Sequence, residues 1–325
     1  MQHLVIASPH RYADLARLWH RWVMRDVAPA FRRAGLQADV TIFRDANSEQ
    51  FTPELFPGVA FLDNGAGMRD HNDFYDAALG IDCDLLFFLD SDTFLFDADW
   101  ACRHLEAFAD PEVASVSLVS RKGRPAMFAL LCRRAAYREL GPRPFRCRYE
   151  FPKDWPNGVS LENGDAATRE LIKRGKKVLA VGLEESAQYT ANFRSSTALR
   201  ATREIIDAAA GDGAFDRCFR RHRAYTVPAH DNILLGCLYE ALYGESFAPD
   251  REGKPLGGSA TLEDLQRVVA AISDPDEIAR LRERFRRSRQ AILRMATREG
   301  VAIPIPAVFF DEEAEVREVA SSSAD

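Results

Sequence analysis

Two carboxylates two residues apart, Asp90 and Asp92, follow directly on the apolar run Leu85-Leu86-Phe87-Phe88-Leu89. Such a run reads as a strand buried on both faces, so the two acids stand where a core strand ends. Paired carboxylates in that position are costly unless something neutralises them. A hard divalent cation, manganese or magnesium, does so well, because it prefers carboxylate oxygens and keeps positions for phosphate and water. The chemistry expected of Asp90-Ser91-Asp92 is that of a metal–diphosphate site, where the ion stabilises charge growing on a departing diphosphate. A solvated turn is the plain alternative for an isolated D-x-D.

The elements that must hold these acids are legible in the alternation of periods. Residues 3–7 read as a buried strand ending at Ser8-Pro9, and 11–34 as a helix with Leu15, Leu18, Trp19, Trp22 and Val23 at helical spacing and Gly35 as its stop. Strands are expected over 38–43, 58–62 and 84–89, and a helix over 70–79. This rhythm implies an α/β fold with a mostly parallel central sheet flanked by helices. Sheets of that kind bind ligands beyond the carboxyl ends of their strands, and Ser8-Pro9, Asp45, Asn64 and Asp90 all fall there.

The second half is mixed. Strands are expected over 113–119, 125–132 and 177–181, and helices over 165–174 and 230–243. Residues 141–158, rich in Pro and Arg and carrying Phe145, Phe151 and Trp155, read as a long loop, either a lid that contacts sugar or a connector. From about 260 two helices, 261–273 and 276–298, are broken at Asp274-Pro275. The second carries Ile278, Leu281, Phe285, Ile292 and Met295 on one face and many arginines elsewhere. It reads as a docked helix whose arginines pair with Glu277, Glu283 and Glu299, as an oligomer face, or as a contact for anionic lipid. Residues 311–325 form an acidic, then Ser-rich tail expected to fray.

Composition sets the outer bounds. With 46% hydrophobic residues over 325 positions the chain can build a full core. A net charge of −6 argues against a dedicated nucleic-acid binder. The opening residues lack a secretory pattern and no window reaches a membrane span, so the expected location is cytoplasmic. Cys83, Cys102, Cys132, Cys147, Cys218 and Cys237 form no C-x-x-C pair and are expected to be reduced rather than to bind zinc.

The stretch Asn64-Gly65-Ala66-Gly67-Met68-Arg69-Asp70-His71-Asn72, then Ala77-Ala78-Leu79, then Leu85 to Asp92, resembles the GT-A (Rossmann-like) glycosyltransferases, and above all their large inverting family two. Ser8-Pro9-His10-Arg11-Tyr12 is similar to that family's first nucleotide-pocket loop, and Arg44-Asp45-Ala46-Asn47-Ser48 resembles its Asp-Asp-Gly-Ser loop. Met127-Phe128 with Arg133-Arg134 and Tyr137 resembles the strand and Arg-Arg helix after the metal site, and Glu162 to Gly175 the segment that carries the base. The likeness covers roughly residues 4–182. Gly164-Asp165 replaces the family's Glu-Asp pair, the first loop lacks its Gly, and the Gln-x-x-Arg-Trp element is not evident.

The resemblance implies a metal-dependent hexosyltransferase that uses a nucleotide-diphosphate-sugar, a UDP- or GDP-sugar, with manganese or magnesium. Its domain would span 1–245, a nucleotide-binding half over about 1–95 and an acceptor half over about 96–245, with 260–300 as a helical appendage. Ser8, Pro9, Tyr12, Asp45, Asn64, Arg69, Asp90, Ser91 and Asp92 would line the donor: Tyr12 beside the base, Asp45 accepting from base or ribose, Arg69 facing the phosphates. Asp90, Asp92 and His230 would hold the metal, with Asp231 next in line. Asp165 would be the general base, with Glu162 as the alternative; a helix cap is the other reading of Asp165, and a structural histidine that of His230. The acceptor would be a sugar, a lipid-linked sugar or a small molecule, with peripheral membrane contact and oligomer formation through the C-terminal helices left open.

Rival readings remain. A retaining transferase needs no dedicated base. A haloacid-dehalogenase-like phosphatase would use Asp90 as nucleophile, but Phe94 stands where that motif wants Thr or Val, and Arg169 where it wants a later Asp. A nucleotidyltransferase would need a Gly-rich loop in 8–17, which contains no Gly. A binding module with a decayed site would not keep Asp90, Asp92 and Asp165.

Overall fold

The computed structural model describes residues 1–10, 12–44, 50–63, 71–119, 125–145, 164–181, 190–193, 226–247 and 274–304. The chain divides into two compact units, Met1–Asn192 and Phe193–Asp325. Expectations for 146–163, 261–273 and 311–325 lie outside the described residues.

The first unit is built on seven strands: β1 (His3–His10), β2 (Gln37–Arg44), β3 (Val59–Asp63), β4 (Leu85–Leu89), β6 (Val113–Val119), β7 (Pro125–Arg133) and β8 (Lys177–Val181). A short β5 (Thr93–Leu95) pairs antiparallel with β9 (Thr190–Asn192) in a separate two-stranded ribbon. The main sheet runs β3-β2-β1-β4-β7-β6-β8. All strands but β7 point the same way, and β7 runs antiparallel to both neighbours. This is the mostly parallel, helix-flanked sheet that the alternating pattern implies.

Helices close both faces. On one lie α1 (Ala13–Trp22) and α2 (Ala28–Arg33), where Phe31 meets Phe87 of β4 edge to face. On the other lie α3 (His71–Ala78), α5 (Arg134–Arg138) and α6 (Asp165–Lys173). There Phe74, Tyr75, Tyr137, Ala167 and Leu171 pack with Ala7, Leu86, Phe88 and Leu130. Alternate residues of β4 thus serve the two layers, as a strand buried on both faces must. A short α4 (Asp99–Arg103) follows β5.

Two departures from the sequence reading have local causes. The helix expected over 11–34 is interrupted by a π-helical turn, Val23–Val27, between α1 and α2. Pro29 sits in the first turn of α2; inside a continuous helix it would leave a carbonyl unpaired and clash with the preceding turn, and the wider turn absorbs it. The first strand does not end at Ser8-Pro9. Its pairing with β4 runs from Leu4↔Leu85 to Ala7↔Phe88, but with β2 it continues through Ser8↔Ile42, Pro9↔Phe43 and His10↔Arg44. Proline is tolerated where a strand leaves the middle of a sheet and becomes an edge.

In the second unit, α7 (Thr226–Tyr243) packs on α8 (Pro275–Glu299). Leu234, Leu235, Leu238 and Tyr239 of α7 and Leu281, Phe285, Ile292 and Met295 of α8 are buried. The Asp274-Pro275 break is the start signal of α8: the Asp274 side chain caps the backbone N–H of Asp276, Pro275 takes the first turn, and Gly300 at φ 70° ends the helix. Among the described residues no helix is long and apolar enough to cross a membrane.

Candidate functional site

The chain lays β1, β2 and β3 outward to one side and then places β4 on the other side of β1. The β1/β4 boundary is therefore a topological switch point, where open α/β sheets leave a crevice beyond their carboxyl ends. Asp90 is the first residue past the end of β4.

The segment Asp90-Ser91-Asp92-Thr93 is a tight turn, closed by the Thr93 N–H donating to the Asp90 carbonyl at 3.0 Å. It is held on both sides. At its entry the Asp90 N–H donates to the Phe128 carbonyl of β7 at 3.0 Å. At its exit the indole Nε1–H of Trp22 donates to the Leu95 carbonyl of β5 at 2.6 Å. The Trp22 ring meets Phe94 and Phe96 edge to face. Ser91, Asp92 and Thr93 are buried.

Asp90 is oriented from the α3 layer. The hydroxyl of Tyr75, itself fully buried, donates to Asp90 Oδ1 at 2.9 Å. Burial pushes the Tyr75 hydroxyl well above the ordinary tyrosine range, and the charges of Asp90 and then Asp92 push it further. Tyr75 therefore stays a donor, and both carboxylates act on the same spot. Among the described residues no three His, Cys, Asp or Glu side chains converge as a ready-made metal shell. Two hard oxygen donors at a strand end suit an ion that completes its shell with phosphate oxygens and water, so the residues present fit manganese or magnesium bound together with a diphosphate.

Asp165 opens α6 and is buried. Before it, Gly164 adopts φ 84° and fits against Met127 of β7 so closely that a Cβ there would stand 2.2 Å from Met127 Sδ. Only glycine meets both demands. Met127 adjoins Phe128, which receives the Asp90 N–H. Because β7 runs backwards and α6 leads into β8, Asp165 sits at the same end of the sheet as Asp90 and Asp92, from a different segment. The cap position of α6 is Gly164, which has no side chain, so the helix starts without a side-chain cap and Asp165 is its first residue.

At the end of β1, Ser8 and His10 are buried on the α1 side, and His10 meets Trp19 edge to face at 4.9 Å. Burial, and then the neighbouring His20, depress the His10 imidazole to about 3. Ser8 Oγ, both ring nitrogens of His10 and Trp19 Nε1 have no hydrogen-bond partner among the described residues. Pro9 is also buried, and Tyr12, half-buried, precedes α1 and accepts the Ala16 N–H at its carbonyl. Asp45, Asn64, Arg69 and Glu162 lie outside the described residues.

His230 belongs to the second unit, where its ring stacks on Phe285 of α8 at 4.1 Å. Next to it Asp231 is fully buried, with Arg284 Nη2 at 3.4 Å from its Oδ2. His230 Nδ1 lies 3.6 Å from Asp231 Oδ1. The described contacts of this pair are those of a helix–helix junction.

Sequence reading missed Tyr75 and Trp22 as supports of the turn and Met127 as the side chain packed against Gly164. The first two carried a usable signal. Each is an aromatic with a polar tip at an apolar position, and such tips find a partner when buried.

No protein-family model matches this chain, and no curated protein matches it. Solved structures resemble it at low identity. The mannosyltransferase PcManGT from Pyrobaculum calidifontis, in complex with GDP-Man and Mn2+, is 13% identical over 100% of this chain and 81% of its own, at a TM-score of 0.43. TarS of S. aureus is 13% identical over 92% of each chain, at 0.35. The galactosyltransferase LgtC, in complex with donor and acceptor sugar analogs, is 13% identical over 55% of this chain and 73% of its own, at 0.35.

Proposed function

We propose that this chain is a divalent-metal-dependent glycosyltransferase that moves a sugar from a nucleotide-diphosphate-sugar to an acceptor hydroxyl. One observation carries the reading: an Asp-Ser-Asp turn at the end of β4, half-buried at Asp90 and buried at Ser91 and Asp92, beside the β1/β4 switch point and pinned by Tyr75, Phe128 and Trp22. Such a crevice takes a nucleotide, and a carboxylate pair there takes the metal that accompanies its phosphates.

Asp92 and Asp90 would hold manganese or magnesium, which supplies charge stabilisation for the departing diphosphate. Tyr75 fixes one oxygen of Asp90, so the turn is set before the donor arrives. Asp165, at the same sheet end but on α6, would take the proton from the acceptor hydroxyl. As the hydroxyl oxygen bonds to the anomeric carbon, the bond from that carbon to the diphosphate oxygen breaks. The proton ends on Asp165 and the electron pair on the diphosphate. A base on a separate segment supports inversion, because the attacking hydroxyl must approach opposite the leaving group.

The test is a thermal-shift panel of UDP, GDP, ADP and CDP, each with manganese, with magnesium and with chelator. Stabilisation by one nucleotide that vanishes with chelator is expected, through binding linkage. Equal melting in every condition would sink the reading. Hydrolysis of a generic aryl phosphate without any sugar nucleotide would replace it with the phosphatase.

A further inference from the structure

Helix α8 is a strongly basic segment of an acidic chain. Over Pro275–Glu299 eight arginines stand against four acidic residues, while the whole chain carries −6. The helical register sorts them. Leu281, Phe285, Ser288, Ile292, Met295 and Ala296 are buried and share one face. Arg280, Arg287, Arg294 and Arg298 are exposed, and at 100° per residue they fall within about 20° of one line along the helix, some 27 Å long. Arg282 and Arg286 are also exposed, on the other flank of the solvent side. Glu283 is paired with both Arg286 and Arg287, and over the whole helix arginines outnumber acids eight to four. Leu293, 42% exposed, lies between Arg282 and Arg286 on that second flank.

We propose that this face docks the chain on an anionic lipid bilayer, with α8 lying parallel to the membrane plane. A negatively charged leaflet attracts each basic side chain within a Debye length of its surface. The acidic remainder of the chain is repelled, so the attraction is confined to the basic helix. Leu293 can enter the boundary between headgroups and acyl chains; one leucine adds little, so the binding is reversible and governed by salt. Nucleic acid fits less well. No large aromatic is exposed among the described residues to stack on bases.

The full chain should co-float with vesicles of phosphatidylcholine containing about one third phosphatidylglycerol, not with phosphatidylcholine alone, and should be released at about 0.5 M salt. The triple variant Arg280→Gln/Arg287→Gln/Arg294→Gln should bind about 100-fold more weakly, from about fivefold per arginine. Arg21→Gln/Arg33→Gln/Arg138→Gln, which removes three exposed charges of the first unit, should bind as wild type. Binding to neutral vesicles, indifference to salt, or equal loss in both triple variants would overturn the proposal. Retention on duplex DNA with no vesicle binding would do the same and make nucleic acid the partner. If the first variant melts early, the salt response and lipid selectivity of the unaltered chain still decide. The thermal shift with nucleotide, read without vesicles, tests the catalytic proposal separately.

Discussion

The Tyr75 hydroxyl and Asp90 Oδ1, 2.9 Å apart, join the helix layer to the first carboxylate of the turn. The contact spans fifteen positions of sequence and is sealed from water on the tyrosine side. Tyr75→Phe removes the hydroxyl and keeps the ring that packs against Phe74, Phe88 and Phe145. Stability should fall by about 1 kcal/mol, the net worth of such a bond. Metal-dependent nucleotide affinity should fall about tenfold, the usual loss when a residue behind a ligand is removed. Calorimetric titration of manganese at saturating nucleotide reads this; an unchanged metal affinity would reduce Tyr75 to core packing.

Asp92 and Asp165 should separate by phenotype. Asp92→Asn should abolish both metal-dependent nucleotide binding and turnover, because it removes a ligand to the ion. Asp165→Asn should keep nucleotide and metal affinity and lower kcat by about 100-fold or more, because a general base acts in the transition state. Donor titration calorimetry and initial rates on the same preparations test both. Turnover of Asp165→Asn at the wild-type rate would leave Asp165 as the first residue of α6 and nothing more, and a retaining mechanism would become the better reading.

The parts of this site that could be read from sequence are those fixed by hydrophobic pattern. Leu85–Leu89 is apolar at every position because β4 is covered on both faces, so its end, and with it Asp90, was plain. The end of β1 was misjudged because Ser8-Pro9 has the local chemistry of a loop, while the strand continues on the strength of its pairing with β2. The same blindness to long-range partners hid Tyr75 and Trp22. Both sit in helices at positions that pattern assigns to the core, and only the fold brings their polar tips to Asp90 and Leu95. Met127 carries no signal, since its role is to leave no room for a Cβ at Gly164.

Gly164→Ala should therefore disturb Asp165 without touching its carboxylate. A left-handed backbone costs a non-glycine residue about 1–2 kcal/mol, and the added Cβ must displace Met127, whose Sδ would stand 2.2 Å away. Chemical denaturation should show a loss larger than the backbone cost alone. Pairing it with Met127→Ala should recover the steric part and leave the backbone part, a non-additivity that a double-mutant cycle measures. Strict additivity of the two variants would mean that Met127 moves aside at no cost.

His10 gives the fold an acid limit. Burial holds its imidazole at about 3, against about 6.5 when unfolded. Between those values the unfolded chain binds a proton that the folded chain does not, so stability rises with pH across the window. The contribution is intact above about 6.5 and is lost as pH falls toward 3. Neither ring nitrogen has a hydrogen-bond partner among the described residues, so replacing the ring with an apolar side chain removes polar atoms whose burial is uncompensated. His10→Leu should be close to neutral in stability at pH 7 and should flatten the decline on acidification. Urea denaturation of both proteins at pH 7 and at about pH 4.5 isolates the effect, because carboxylates common to both cancel in the difference. Parallel acid declines would show that His10 takes up its proton in the folded chain. The imidazole would then reach water or an acidic partner, and the end of β1 would be open to solvent rather than sealed beneath Trp19.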